Sequence, residues 1–76
     1  MKIKFSDHSL DRIKQRKISK TLIIKVIREP EKMMGSFRDR KLFRISVRDK
    51  ILEVVVVKEK GVFIIITAYY LEKNEN

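Results

Sequence analysis

Apolar positions recur along this chain with two different periods, and the change falls at Pro30. Before it the spacing is helical. Leu10 and Ile13 lie three apart on one side of a segment from about His8 to Arg16. Ser6 or Asp7 offers an N-cap oxygen to its first turn. Leu22, Ile23, Val26 and Ile27 form a wider stripe over Lys20 to Arg28, a second helix capped by Ser19 and broad enough to lie on a sheet. Pro30 ends it, because the proline ring pushes Glu29 out of the helical region. Lys2 to Phe5 alternates Lys, Ile, Lys, Phe and predicts a short edge strand.

After Pro30 the period is two. Lys32 to Phe37 predicts a short strand, and Arg38-Asp39-Arg40 a turn. From Leu42 to Arg48, Phe43, Ile45 and Val47 alternate with Arg44, Ser46 and Arg48. Asp49-Lys50 turns the chain into a β-branched run, Ile51 to Lys58. Glu59-Lys60-Gly61 turns it again into the longest strand, Val62 to Tyr70, with Gly61 able to take positive φ. The last two strands are apolar on both faces at Val54 to Val57 and in VFIIITA. A sheet covered by helices on one side only should be polar on the other. These strands are therefore either central and strongly curled, or covered by a partner chain.

The elements predict an α+β fold: two N-terminal helices packed on a curled antiparallel sheet of about four strands, in the order (β)ααβ(β)ββ. One domain is expected over residues 1–71, followed by a polar tail at 72–76.

Composition narrows the setting. The 76 residues contain no Cys and one His, which leaves no disulfide or Cys-ligated zinc and argues against a His-based metal site. The start, MKIKFSDHS, has no apolar h-region, and no apolar run approaches the ~20 residues of a membrane span. A cytoplasmic protein without a membrane partner is expected.

Charge changes the picture more. Up to Arg48 there are fifteen Lys/Arg and five Asp/Glu; from Asp49 onward there are four Lys and five acids. The net charge of +9 thus sits on one portion of the fold. That points to an anionic partner, of which nucleic acid is the commonest.

Three groups of residues could carry chemistry. At 100° per residue, His8, Arg12 and Arg16 form a row beside the apolar stripe of the first helix. Guanidiniums pair with phosphate oxygens at two points, and an imidazole can exchange a proton near neutral pH. On the predicted strand, Arg44 and Arg48 point from one sheet face about 13 Å apart, two nucleotide phosphates' separation. Thr67, Tyr69 and Tyr70 close the last strand, where a hydroxyl can donate to a phosphate and a ring can stack on a base. Arg38, Arg40 and Lys41 add a basic turn for phosphate attraction. The acids are scattered, and with glycines only at Gly35 and Gly61 there is no phosphate loop. No metal or other cofactor is expected, so an enzyme here would be metal-independent. Each group has a plain structural reading too: a capping His, a solvated Arg face, a Tyr at the rim of the core.

The string FSDHSLDRIKQRKIS, a second helix closed by IREP, and a meander containing KLFRISV, ILEVVVV and IIITAYY resemble a small bacterial and archaeal family of unknown-function domains. That family is related to the RelE/BrnT type of toxins. The matching positions are Ser6 and His8, Arg12, Arg16 with Ile18 and Ser19, Glu29-Pro30, and Ile66-Thr67 with Tyr69. Lys17 stands where relatives often have Gly. The resemblance implies a RelE-like fold and, in many relatives, metal-independent RNA cleavage by the ribose 2′-hydroxyl, with an antitoxin holding the toxin inactive. The catalytic residues of RelE are not fixed across its relatives and do not carry over as a set. In a RelE-like metal-independent ribonuclease or a degenerate relative of one, the His8 row and the charge asymmetry make His8 the general acid or base, Arg12, Arg16, Arg44 and Arg48 a phosphate clamp, and Tyr69 or Tyr70 a helper or stacking group. RNA, including ribosome-associated RNA, and an antitoxin or a second copy are then the expected partners. Two other classes stay open: a non-catalytic nucleic-acid-binding module, and an interaction or homodimerising domain whose bare sheet face is its working surface.

Overall fold

The computed structural model describes residues 2–73. Strand β1 (Lys2–Phe5) leads into helices α1 (Asp7–Gln15) and α2 (Lys20–Arg28). Strands β2 (Lys32–Gly35), β3 (Arg40–Val47), β4 (Lys50–Glu59) and β5 (Val62–Glu72) follow, with a short 3-10 turn at Phe37–Asp39. The fold is α+β, as expected. The sheet, however, has five strands rather than about four, in the order β1-β5-β4-β3-β2. It is also mixed, not antiparallel, because β1 runs parallel to β5 with Lys2 opposite Val62. A parallel partner sixty residues away leaves no turn signal beside it, so local pattern found the strand and missed its pairing.

Caps set the helix ends. The Ser6 hydroxyl accepts from the Ser9 amide at 3.1 Å, and the Ser9 hydroxyl donates back to the Ser6 carbonyl at 2.7 Å. Ser19 accepts from the Leu22 amide in the same way. α1 ends in a Schellman motif: Ile18 N–H donates to the Ile13 carbonyl and Lys17 N–H to the Lys14 carbonyl. Its left-handed residue, Lys17 at φ 56°, occupies a position that favours glycine.

One core lies between the helices and the sheet, built from Ile13, Ile18, Ile23, Val26 and Ile27 against Phe43, Ile45, Leu52, Val54, Val56, Ile65 and Ala68. Leu10 and Leu22 pack against its margin. Tight turns join the last strands. Lys60 and Gly61 both have positive φ, the arrangement that matches strand twist in a two-residue hairpin.

The register between β4 and β5 slips once. Val55 pairs with Thr67 and Val56 with Ile65, so Ile66 is the extra residue of a bulge. A one-residue slip turns every later side chain to the other face. Because of it Thr67, Tyr69 and Leu71 share the face of Ile64, away from the helices, while Ala68 and Tyr70 turn toward the core side. That open face is still closed along β4, where Val55 is 7 % and Glu53 4 % exposed in the single chain.

β5 runs through Glu72, a residue expected in the tail, and positions 74–76 of that tail lie outside the described residues. Among the described residues, no helix is long and apolar enough to cross a membrane.

Candidate functional site

A row of polar residues crosses the middle of the open face. Lys32 pairs with Arg44, Arg44 with Glu53, and Glu53 with Tyr69, each directly opposite the next on β2, β3, β4 and β5. Glu53 is the centre. Its Oε1 accepts from Arg44 Nε at 2.5 Å, and its Oε2 accepts from the Tyr69 hydroxyl. The side chain of Glu53 is nearly buried, whereas that of Arg44 is 28 % exposed. A buried carboxylate needs this pairing, since an unpaired charge in a low-dielectric site is costly. Arg44 spends only Nε on Glu53, and among the described residues its outer nitrogens have no hydrogen-bond partner, so they can meet an anion.

Arg16 closes the row from the side of β5. β1 pairs β5 only as far as Ile65, so among the described residues the β5 edge beyond it has no strand neighbour. The Schellman motif places Arg16 at the end of α1, against that edge. Its Nη1 donates to the Ala68 carbonyl at 2.9 Å and to the Thr67 hydroxyl at 3.2 Å. The Tyr69 phenol feels the whole group. Burial, then the hydrogen bond from its hydroxyl to Glu53 and the Glu53 charge, push its pKa from 10.0 to about 12, while the charges of Arg44 and Arg16 oppose the rise. Arg16, Thr67, Tyr69, Glu53 and Arg44 therefore form one cluster drawn from α1, β3, β4 and β5.

The other predicted residues lie elsewhere. His8 is exposed, and its Nε2 accepts from Arg12 Nε at 3.2 Å. The row His8, Arg12, Arg16 thus exists, yet two helical turns put His8 about 12 Å from Arg16 along the axis. The hydrogen bonds that join the cluster do not include His8 or Arg12. Arg48 is not on the face of Arg44, because β3 ends at Val47 and Arg48 occupies the turn at φ 58°. Tyr70 pairs with Leu52 on the core side and is absent from the cluster. Arg38 and Arg40 flank the β2–β3 tip; Arg40 shares the open face with Arg44, whereas Lys41, one residue on, faces the helix side.

Glu53 is the residue that sequence reasoning missed. Its signal was an acid within the apolar run ILEVVVV, on a strand whose neighbours offered an Arg and a Tyr. The open face is basic on balance: by register it carries Lys2, Lys4, Lys32, Arg40 and Arg44 against the acids Glu53 and Glu59. Among the described residues, no three His, Cys, Asp or Glu side chains are grouped to hold a metal ion.

The domain thus carries two helices on one face of a five-stranded mixed sheet and an arginine–glutamate–tyrosine network on the other. Residues 5–70 match the domain of unknown function DUF4258, and the chain belongs to that family. Neither the curated proteins nor the solved structures yield a match.

Proposed function

We propose that this chain is a RelE-like RNA-binding protein that cleaves RNA without a metal ion, in the cytoplasm, as the toxin of a toxin–antitoxin pair. The observation that carries the reading is a buried Glu53 carboxylate that accepts from both Arg44 Nε and the Tyr69 hydroxyl, with Arg16 held beside them on the Thr67 hydroxyl and the Ala68 carbonyl. Such a group supplies the two needs of phosphodiester cleavage by a neighbouring hydroxyl: a path for a proton and positive charge for the phosphorane.

In this scheme the ribose 2′-hydroxyl attacks the adjacent phosphorus. Its proton passes to the Tyr69 oxygen as the Tyr69 proton passes to Glu53, so the phenol stays neutral and the carboxylate becomes the acid. Arg44 and Arg16 neutralise the equatorial oxygens. The 5′ oxygen leaves and takes a proton from water, giving a 2′,3′-cyclic phosphate and a 5′-hydroxyl, and the hydroxide so formed takes the proton from Glu53, which returns to a carboxylate. His8 and Arg12, about 12 Å along α1, contact a flanking nucleotide instead of the reacting phosphate. An antitoxin or a second copy would mask the same face.

A second reading, binding without cleavage, has its own support. Both oxygens of Glu53 are occupied and the group is almost fully buried, which suits a residue that holds Arg44 in place for a phosphate. The two readings part in one experiment. Labelled RNA is incubated in EDTA with wild type, Glu53→Gln, Tyr69→Phe and His8→Ala. Cleavage giving 5′-hydroxyl ends, lost about 10²–10⁴-fold in Glu53→Gln and retained in His8→Ala, supports the nuclease. Binding without cleavage by wild type supports the second reading.

A further inference from the structure

Of the four phenylalanines, Phe5, Phe43 and Phe63 belong to the core or pack against it. Phe37 does neither. It is 87 % exposed, the barest large apolar side chain among the described residues. It sits at the tip between β2 and β3, and the tip is tightly built. Ser36 N–H donates to the Arg40 carbonyl at 2.8 Å, and Arg40 N–H donates to the Phe37 carbonyl. Arg38 and Asp39 are both left-handed, at φ 57° and 60°, a conformation that residues with a Cβ adopt only at a cost. A shallow hollow beside the ring is lined by Phe37, Arg38 and Arg40.

We infer that this tip is a contact for single-stranded RNA, in which Phe37 stacks on an unpaired base while Arg38 and Arg40 hold the phosphates beside it. The inference rests on the RNA reading of the open face and adds the class of substrate. Charge decides between an RNA and a protein occupant: Arg38 and Arg40 follow the ring within three residues and line the same hollow, with Lys41 next and Asp39 as the one acid of the tip. A ring that projects from a tip reaches a base face only where that face is not already stacked in a duplex. Arg40 also links the tip to the cluster. It lies four residues from Arg44 on the same face of β3, about 13 Å away at strand rise. A strand of RNA passing from the tip to Arg44 spans about two nucleotides.

The test uses a short labelled 2′-O-methyl RNA, which lacks the attacking hydroxyl, as a single strand and as a duplex, with binding followed by fluorescence anisotropy. Phe37→Ala is expected to weaken single-strand binding about tenfold, within the range for loss of one stacked base, and to leave duplex binding and the salt slope unchanged. Phe37→Trp keeps the affinity, and its indole fluorescence falls as the single strand is added. Arg38→Ala lowers the salt slope by about 0.7 for a single strand. Equal losses on single strand and duplex would overturn the inference. So would an unchanged Phe37→Ala beside a weakened Arg44→Ala, which would leave the RNA reading of the cluster standing. If wild type binds neither form and sedimentation shows self-association that Phe37→Ala abolishes, the tip is a protein interface and both readings fall.

Discussion

Replacing Glu53 with Gln removes one charge from the centre of the open face and almost no volume. Glu53 is buried, accepts from Arg44 Nε at 2.5 Å and accepts from the Tyr69 hydroxyl. Breaking a fully buried ion pair by removing one member costs about 3–5 kcal/mol. Arg44 is 28 % exposed, so water reaches its outer nitrogens and the full figure does not apply. The Tyr69 hydrogen bond becomes a neutral one and the Arg44 bond keeps charge on the donor side only, at about 1 kcal/mol each. The amide also has a single acceptor oxygen, so one of the two donors must turn away or lose its partner. The expected loss is about 2 kcal/mol. A chain of this size has a stability of about 4–11 kcal/mol, so the variant still folds. Urea unfolding followed by circular dichroism measures it: the midpoint falls by about 2 M while the m-value holds near 1 kcal/mol/M. A double-mutant cycle with Arg44→Met is expected to give a coupling of about 1–2 kcal/mol. A loss under about 0.5 kcal/mol, or additive single effects, would refute the network, because Glu53 would then behave as a solvated surface acid.

Three further outcomes are expected. Tyr69 holds its proton to about pH 12 against 10.0 for an ordinary tyrosine, so phenolate absorbance shows a late step that Tyr69→Phe removes. Since the folded-state value lies above the unfolded one, the stabilisation is full below pH 10 and is lost as pH rises through 12; alkaline unfolding of Tyr69→Phe should lack that fall. Lys17→Gly relieves a left-handed residue at the end of α1 and should raise stability by about 0.5–1 kcal/mol, seen as a rise of about 2–8 °C in Tm. Ser6→Ala removes the α1 cap and should lower stability by about 1 kcal/mol in the same melt, with β-sheet content unchanged.

Local pattern placed most of the fold. α2 spans the residues its stripe predicted, with Ser19 as cap, and α1 is displaced by one residue because Ser6, and not Asp7, is the cap. What local pattern could not show was pairing. β1 was visible as an alternating segment, yet its parallel place beside β5 depends on residues sixty positions away. The candidate site was half legible for the same reason. Arg16, Arg44, Thr67 and Tyr69 stood out by type and spacing. Their meeting depends on the bulge at Ile66, which turns Tyr69 and not Tyr70 to the open face, and no residue type at that position announces it. Glu53 read as one acid among scattered acids because its partners lie on two other strands. Arg48 was assigned to a strand that stops one residue earlier, at Val47.

Incubation of labelled RNA with wild type and Glu53→Gln in EDTA, with the ends of the fragments identified, is the most direct test of the central claim. Wild type should yield 2′,3′-cyclic phosphate and 5′-hydroxyl ends, and Glu53→Gln should bind the RNA but cleave it about 10²–10⁴-fold more slowly. Cleavage of equal rate in the two proteins, or none by a wild type that still binds, would contradict a nuclease centred on Arg44, Glu53 and Tyr69.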